Sequence, residues 1–159
     1  MNWLNKNLDS RRIFINTLEE INDPKNIIVT CDVGFSYLDD TKIKVFNFGV
    51  TEASSAMIST GLGISGYTVW FYSMINFVTF RVHEMVRNGI VQHGADVKII
   101  GVKGSEAFKF LGFSHNLLWE DEEIEWMEKL MPCYKPKQEE VRDLILKLNK
   151  EKTASYIRL

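Results

Sequence analysis

The sequence predicts an α/β domain of three layers, α/β/α, built on a mostly parallel sheet. Three observations carry this expectation. Short apolar runs recur along the chain, stretches with helical periodicity lie between them, and 45% of the 159 residues are hydrophobic, enough to bury a core without staples. No internal repeat or low-complexity linker divides the chain, so one domain over residues 1–159 is expected.

The elements follow in order. Ser10 to Ile21 reads as an amphipathic helix, with Ser10 as the cap and Ile13, Phe14, Leu18 and Ile21 on one face, ended by Asn22-Asp23-Pro24. Apolar runs at 27–31, 45–48, 68–71, 97–102 and 154–159 read as strands. Helical patterns fill 51–62, 74–93, 120–131 and 138–148. In such folds ligands gather beyond the carboxyl ends of the strands. There the order of elements puts Asp32 after the first strand, Glu52 after the second, Met74 and Phe77 after the third, and Lys103 to His115 after the fourth.

Composition removes several classes. A net charge of -2 gives no electrostatic reason to expect nucleic acid or an anionic membrane as main partner. The longest apolar runs, such as Tyr67-Thr68-Val69-Trp70-Phe71-Tyr72, are far too short to span a bilayer. Cys31 and Cys133 are distant in sequence, form no C-x-x-C pair, and Met1-Asn2-Trp3-Leu4-Asn5-Lys6 lacks the apolar core of a signal peptide, so a cytoplasmic location is expected. His83, His93 and His115 show no i, i+4 pairing, and no metal site built by this chain alone is expected.

One motif misleads. Gly61-Leu62-Gly63-Ile64-Ser65-Gly66 spells G-x-G-x-x-G, but a dinucleotide fingerprint follows a strand and opens a helix, whereas these glycines close a helix and lead into a strand. Helix termination and tight packing on the sheet explain them better.

The stretch Phe46-Asn47-Phe48-Gly49-Val50-Thr51-Glu52-Ala53-Ser54-Ser55-Ala56-Met57 is the most informative, because it delivers Glu52 from an apolar strand into the first turn of a small-residue helix. A carboxyl group among apolar neighbours favours its protonated form, and a neutral acid can donate a hydrogen bond to a ring nitrogen. Met74, Phe77 and Phe80 or Arg81 share one helix face, where aromatic spacing fits either a core or a stacking surface for a flat ring. His115, in Gly112-Phe113-Ser114-His115-Asn116, is either a loop residue beside the acidic start Glu120-Asp121-Glu122-Glu123 or a group facing a substrate.

Asp32-Val33-Gly34-Phe35, the segment from Phe46 to Ala53, Tyr72-Ser73-Met74-Ile75-Asn76-Phe77 and Gly112 to Asn116 resemble, in order and spacing, the pyrimidine-binding domain of transketolases and deoxyxylulose-phosphate synthases. The resemblance runs from about residue 27 to 159, and its nearest flavour is the transketolase-like proteins of carbohydrate biosynthesis. It implies the thiamine diphosphate-binding, pyrimidine-domain fold and thiamine diphosphate chemistry. Glu52 would bond N1′ of the aminopyrimidine and favour the imino tautomer that takes the C2 proton. Phe77 would stack on that ring with Met74 and Phe80 beside it, Asp32 would lie near the cofactor, and His115 would face the substrate. Lys103 and Lys135 would meet substrate, Lys135 standing where transketolases often carry a phosphate-holding arginine whose fork geometry a lysine lacks.

The sequence departs from the family in two ways. The loop from Lys103 to Gly112 replaces the His-Asp start and acidic end of true transketolases, Thr51-Glu52-Ala53 stands for Ala-Glu-Gln, and Ser114 for threonine. No Gly-Asp-Gly motif with a downstream asparagine is present, so Mg2+ and the diphosphate would be held by a partner, and a split enzyme with a separate diphosphate-binding subunit, arranged α2β2 and using a surface near 74–87, is expected. Two classes stay open: a catalytic subunit, for ketol transfer between sugars or for decarboxylation of a 2-oxo acid, and a noncatalytic domain kept for assembly or regulation.

Overall fold

A computed structural model describes residues 9–102 and 108–159. Among these residues six strands form one sheet, every pair parallel, in the order β2-β1-β3-β4-β6-β5. They are β1 (Asn26–Thr30), β2 (Lys44–Asn47), β3 (Thr68–Met74), β4 (Val97–Val102), β5 (Cys133–Tyr134) and β6 (Ser155–Arg158). Every residue of β1, β3 and β4 is buried, as parallel strands covered on both faces require. The two-residue β5 was not expected; two half-buried residues make no apolar run to announce it.

Alternation along the strands sorts the core into two layers. Ile27, Val29, Val69, Phe71, Val97 and Ile99 face α3 (Glu52–Ile64), α4 (Ile75–Val78), α5 (His83–Met85) and α6 (Glu122–Met127). Ile28, Trp70, Tyr72, Ile100 and Val102 face α1 (Ser10–Ile21), α2 (Phe35–Leu38) and α7 (Val141–Lys150). This is the expected three-layer α/β/α arrangement. The cap of α1 is Asp9 rather than Ser10: its carboxylate accepts the Arg11 N–H at 2.9 Å, and Asn22 closes the helix in the left-handed conformation.

The single helix expected over 74–93 is broken into four pieces. β3 runs on to Met74, α4 lasts one turn, a 3-10 turn spans Phe80–Val82, and α5 leads into a π-helix at Val86–Val91. Thr79 marks the break: its backbone leaves the helical region (φ -117, ψ -83) and its hydroxyl donates to the Ile75 carbonyl at 2.7 Å. An apolar period of the right spacing conceals such a break. The second widening has a packing reason, since a Cβ at Gly89 would come within 2.9 Å of Met57 Sδ and Thr60 Oγ1, so only glycine lets this segment lie against α3.

The misleading glycines do what their context implies. A Cβ at Gly63 would meet the Asp96 backbone nitrogen at 2.9 Å, so α3 touches the sheet there, and Gly66 takes φ +90 in the turn before β3. At the amino ends of the strands, fully buried Lys98 donates to Asp96 Oδ1 and the Glu151 carbonyl, both at 2.6 Å, and to the Thr153 carbonyl. Among the described residues no helix is long and apolar enough to cross a membrane.

Connections leave β1 for β2 on one side and return across it to β3 on the other. The order therefore reverses at β1 and β3, and a crevice opens beyond their carboxyl ends, the usual ligand position in such sheets.

Candidate active site

The crevice is a cavity of about 450 Å³. Cys31 to Gly34 enter it after β1, Val50 and Glu52 after β2, Met74 and Phe77 at the end of β3, and His115 after β4. Asn47, the last residue of β2, ties two of these loops together. Its Oδ1 accepts the N–H groups of Asp32 (3.1 Å) and Gly49 (3.0 Å), and its Nδ2 donates to Asp32 Oδ1 at 3.0 Å. Gly49 adopts φ +69 to turn the chain toward α3.

Glu52 is the first residue of α3 and is 2% exposed, although it carries a carboxylate. The helix amino terminus favours a negative charge there. Apolar neighbours are not its only company: Arg81 Nη1 donates to Glu52 Oε2 at 2.8 Å, and this ion pair is the geometry found in place of an isolated acid. The same guanidinium lies over the face of Phe77, 3.7 Å from its centroid, while His115 meets the Phe77 edge at 5.1 Å and 77°. Ser114 Oγ lies 3.0 Å from His115 Nδ1 and fixes the imidazole in that contact.

Cys31 forms the floor beside Glu52, and burial pushes its thiol pKa up, so it is a neutral wall rather than a nucleophile. Met74, 4% exposed, lies in the cavity wall. Asp32 lies at the rim in the left-handed conformation (φ 53). Phe80 instead borders an adjoining depression of about 440 Å³, which shares Phe77 and Arg81 with the cavity. Lys103 lies outside the described residues.

Lys135 is elsewhere on the same edge of the sheet. It pairs with Glu120 (2.9 Å) and Asp121 (2.7 Å), whose carboxylates raise its pKa, and Asp121 also binds Arg158. Behind them buried Glu123 accepts the Tyr156 hydroxyl at 3.1 Å. Arg81 and Asn47 had no role in the sequence-based site. The i, i+4 spacing of Phe77 and Arg81 was the available signal for the first; nothing in composition or periodicity marks the second.

Glu52 and Phe77 thus border one cavity, and the Arg81 guanidinium contacts both. Among the described residues no group of three or more His, Cys, Asp or Glu side chains is arranged to hold a metal ion.

The fold is that of transketolases. A split-gene transketolase, solved as an inactive β4 tetramer, superposes with a TM-score of 0.79 at 24% identity, covering 94% of this chain and 50% of that one. Transketolase from Campylobacter jejuni gives 0.78 at 14% identity, covering 96% of this chain and 26% of that one. In sequence the chain resembles one of the subunits of the apulose-4-phosphate transketolase of Phocaeicola vulgatus, with 29% identity over 121 residues, 72% of this chain and 39% of that protein. The chain thus spans about two-fifths of that curated relative, and its resemblance is to a transketolase component. No protein-family model matches it.

Proposed function

We propose that residues 1–159 form a single pyrimidine-binding domain, one component of a split, thiamine diphosphate-dependent transketolase-like enzyme that transfers a two-carbon ketol unit in carbohydrate metabolism. One observation carries the reading: a carboxylate that is 2% exposed stands across a cavity from an aromatic face, at the point where the strand order reverses. The residues fit the aminopyrimidine end of the cofactor, offering a carboxylate for a ring nitrogen and Phe77 for the ring face once Arg81 moves aside. When bound, thiamine diphosphate supplies the carbanion chemistry by which bonds next to a carbonyl are broken and formed.

The chain's own groups orient and protonate. Glu52 would hold a proton at the ring nitrogen, Phe77 would stack on the ring with Met74 and Phe80 beside it, and the protein wall around Cys31 would exclude water. His115, against the Phe77 edge, faces the substrate, and Asp32 stands at the rim of its approach. The diphosphate and Mg2+ belong to a diphosphate-binding subunit in an α2β2 assembly in the cytoplasm. The exposed side chains of Leu111 (49%), which lines the cavity, and of Phe113 (78%) and Leu118 (63%), which line the adjoining depression, support a partner seated over the cavity. The similarity to one component of a multi-subunit transketolase and to a split-gene transketolase supports the same division.

The test is co-purification with a diphosphate-binding chain, followed by thiamine diphosphate titration and turnover of Glu52→Gln. Turnover of the complex is expected to fall by at least about a hundredfold. Full turnover by the variant would refute the role of Glu52.

A further inference from the structure

Arg81 has no part in the chemistry just proposed, yet it lines the cavity in contact with both Glu52 and Phe77. A guanidinium is a flat, delocalised cation with its N–H donors in the plane. Here its central carbon lies over the Phe77 ring, 3.7 Å from the centroid, and an N–H reaches Glu52 at 2.8 Å. An aminopyrimidine would make these same two contacts, through its ring face and its ring nitrogen. Both groups cannot make them together. Phe77 is 8% exposed with Arg81 on its face and His115 on its edge, so no open face remains.

Resting on the reading above, we infer that Arg81 is an internal stand-in for the pyrimidine ring: it pairs with Glu52 and covers Phe77 in the ligand-free protein, and swings out when the ring enters. The side chain has room to do so. It is 40% exposed, and the adjoining depression of about 440 Å³ that it already borders is also lined by Glu122, a carboxylate on which the displaced guanidinium can land. The stand-in keeps a buried carboxylate from standing unpaired, a costly state, in the empty protein. It also sets affinity, because a ligand that binds only the open form is weakened by the open fraction.

The experiment uses the full chain and 4-amino-5-hydroxymethyl-2-methylpyrimidine as probe, titrated calorimetrically into the wild type, Arg81→Met and Arg81→Gln. Arg81→Gln keeps a neutral amide able to bond Glu52 and guards against a methionine variant that does not fold. Tighter binding is expected in both variants, on the order of tenfold for Arg81→Met. In the wild type, the Arg81 Nη–H resonances are expected to change from protected by the bond to Glu52 to solvent-exchanging as the probe saturates. Equal or weaker binding by the variants overturns the stand-in and makes Arg81 part of the loaded site, leaving the thiamine reading intact. Binding by none of the three proteins overturns both.

Discussion

The two partners of the Glu52–Arg81 pair differ in a way that stability measurements can expose. Glu52 is 2% exposed and Arg81 40%. Arg81→Met strands a carboxylate in a wall that includes Cys31 and Met74, whereas Glu52→Gln frees a guanidinium that turns to water. Breaking a buried pair from one side costs about 3–5 kcal/mol when water is excluded. The cavity mouth admits water where Arg81 stood, so the expected cost of Arg81→Met is reduced to about 2 kcal/mol. Glu52→Gln is isosteric, and its expected effect lies within about 1 kcal/mol of zero. For a chain of this length about 2 kcal/mol lowers Tm by roughly 4–8 °C. Urea unfolding, followed by circular dichroism and tryptophan fluorescence with coincident transitions required, gives both values. The double variant Glu52→Gln/Arg81→Met contains no stranded charge and is expected to recover at least about 1 kcal/mol relative to Arg81→Met. If Glu52→Gln costs as much as Arg81→Met, the reasoning from unequal burial is refuted.

Lys98→Met removes three hydrogen bonds and leaves two carbonyls and Asp96 short of a donor, at an expected cost of about 3–5 kcal/mol by urea unfolding. Burial depresses the Lys98 pKa, so just below about pH 10.4 the unfolded chain binds the extra proton and stability rises with pH; Lys98→Met should abolish that rise. Gly101→Ala would set a Cβ 2.5 Å from the hydroxyl oxygen of fully buried Tyr156, and thermal unfolding should register a loss of about 1–3 kcal/mol. Arg11 holds the Asp9 carboxyl well below the usual range, so its stabilising contribution is present above about pH 3.9 and is lost as pH falls through the folded-state value. Asp9→Asn should keep the helix cap but flatten the acid limb of the stability profile, while Asp9→Ala should also lose about 1 kcal/mol at neutral pH.

Much of the architecture is legible in local pattern. Runs such as Ile27 to Cys31 and Val97 to Val102 are apolar but for Thr30 and Lys98, as strands covered on both faces require, and the interleaved helical periods then dictate parallel layers. Glu52 is legible because a lone acid between an apolar strand and a small-residue helix violates the pattern around it. Less legible is what depends on contacts between distant segments. The break at Thr79 turns on a hydroxyl bonding back to Ile75, and the π-helix at Val86–Val91 on the fit of Gly89 against Met57 and Thr60. Arg81 was visible on the right face, but its choice between solvent, Phe77 and Glu52 is made by the cavity rather than by its neighbours in sequence. Lys135 illustrates the same limit: its acidic partners Glu120 and Asp121 come from a different loop.

The strand order also bears on how the chain assembles as it is made. β5 precedes β6 in sequence but lies outside it in the sheet, and its pairing is with β6. Cys133 and Tyr134 therefore emerge from the ribosome with nothing to join. Until Ser155–Arg158 follows, β4 presents an open row of backbone donors and acceptors, flanked by Ile99 and Ile100, to any other nascent chain. Sheet completion waits on a single late closure between distant segments, the kind of step that topology makes slow. A translational pause before Ser155 would thus prolong the interval in which this chain is most prone to aggregate.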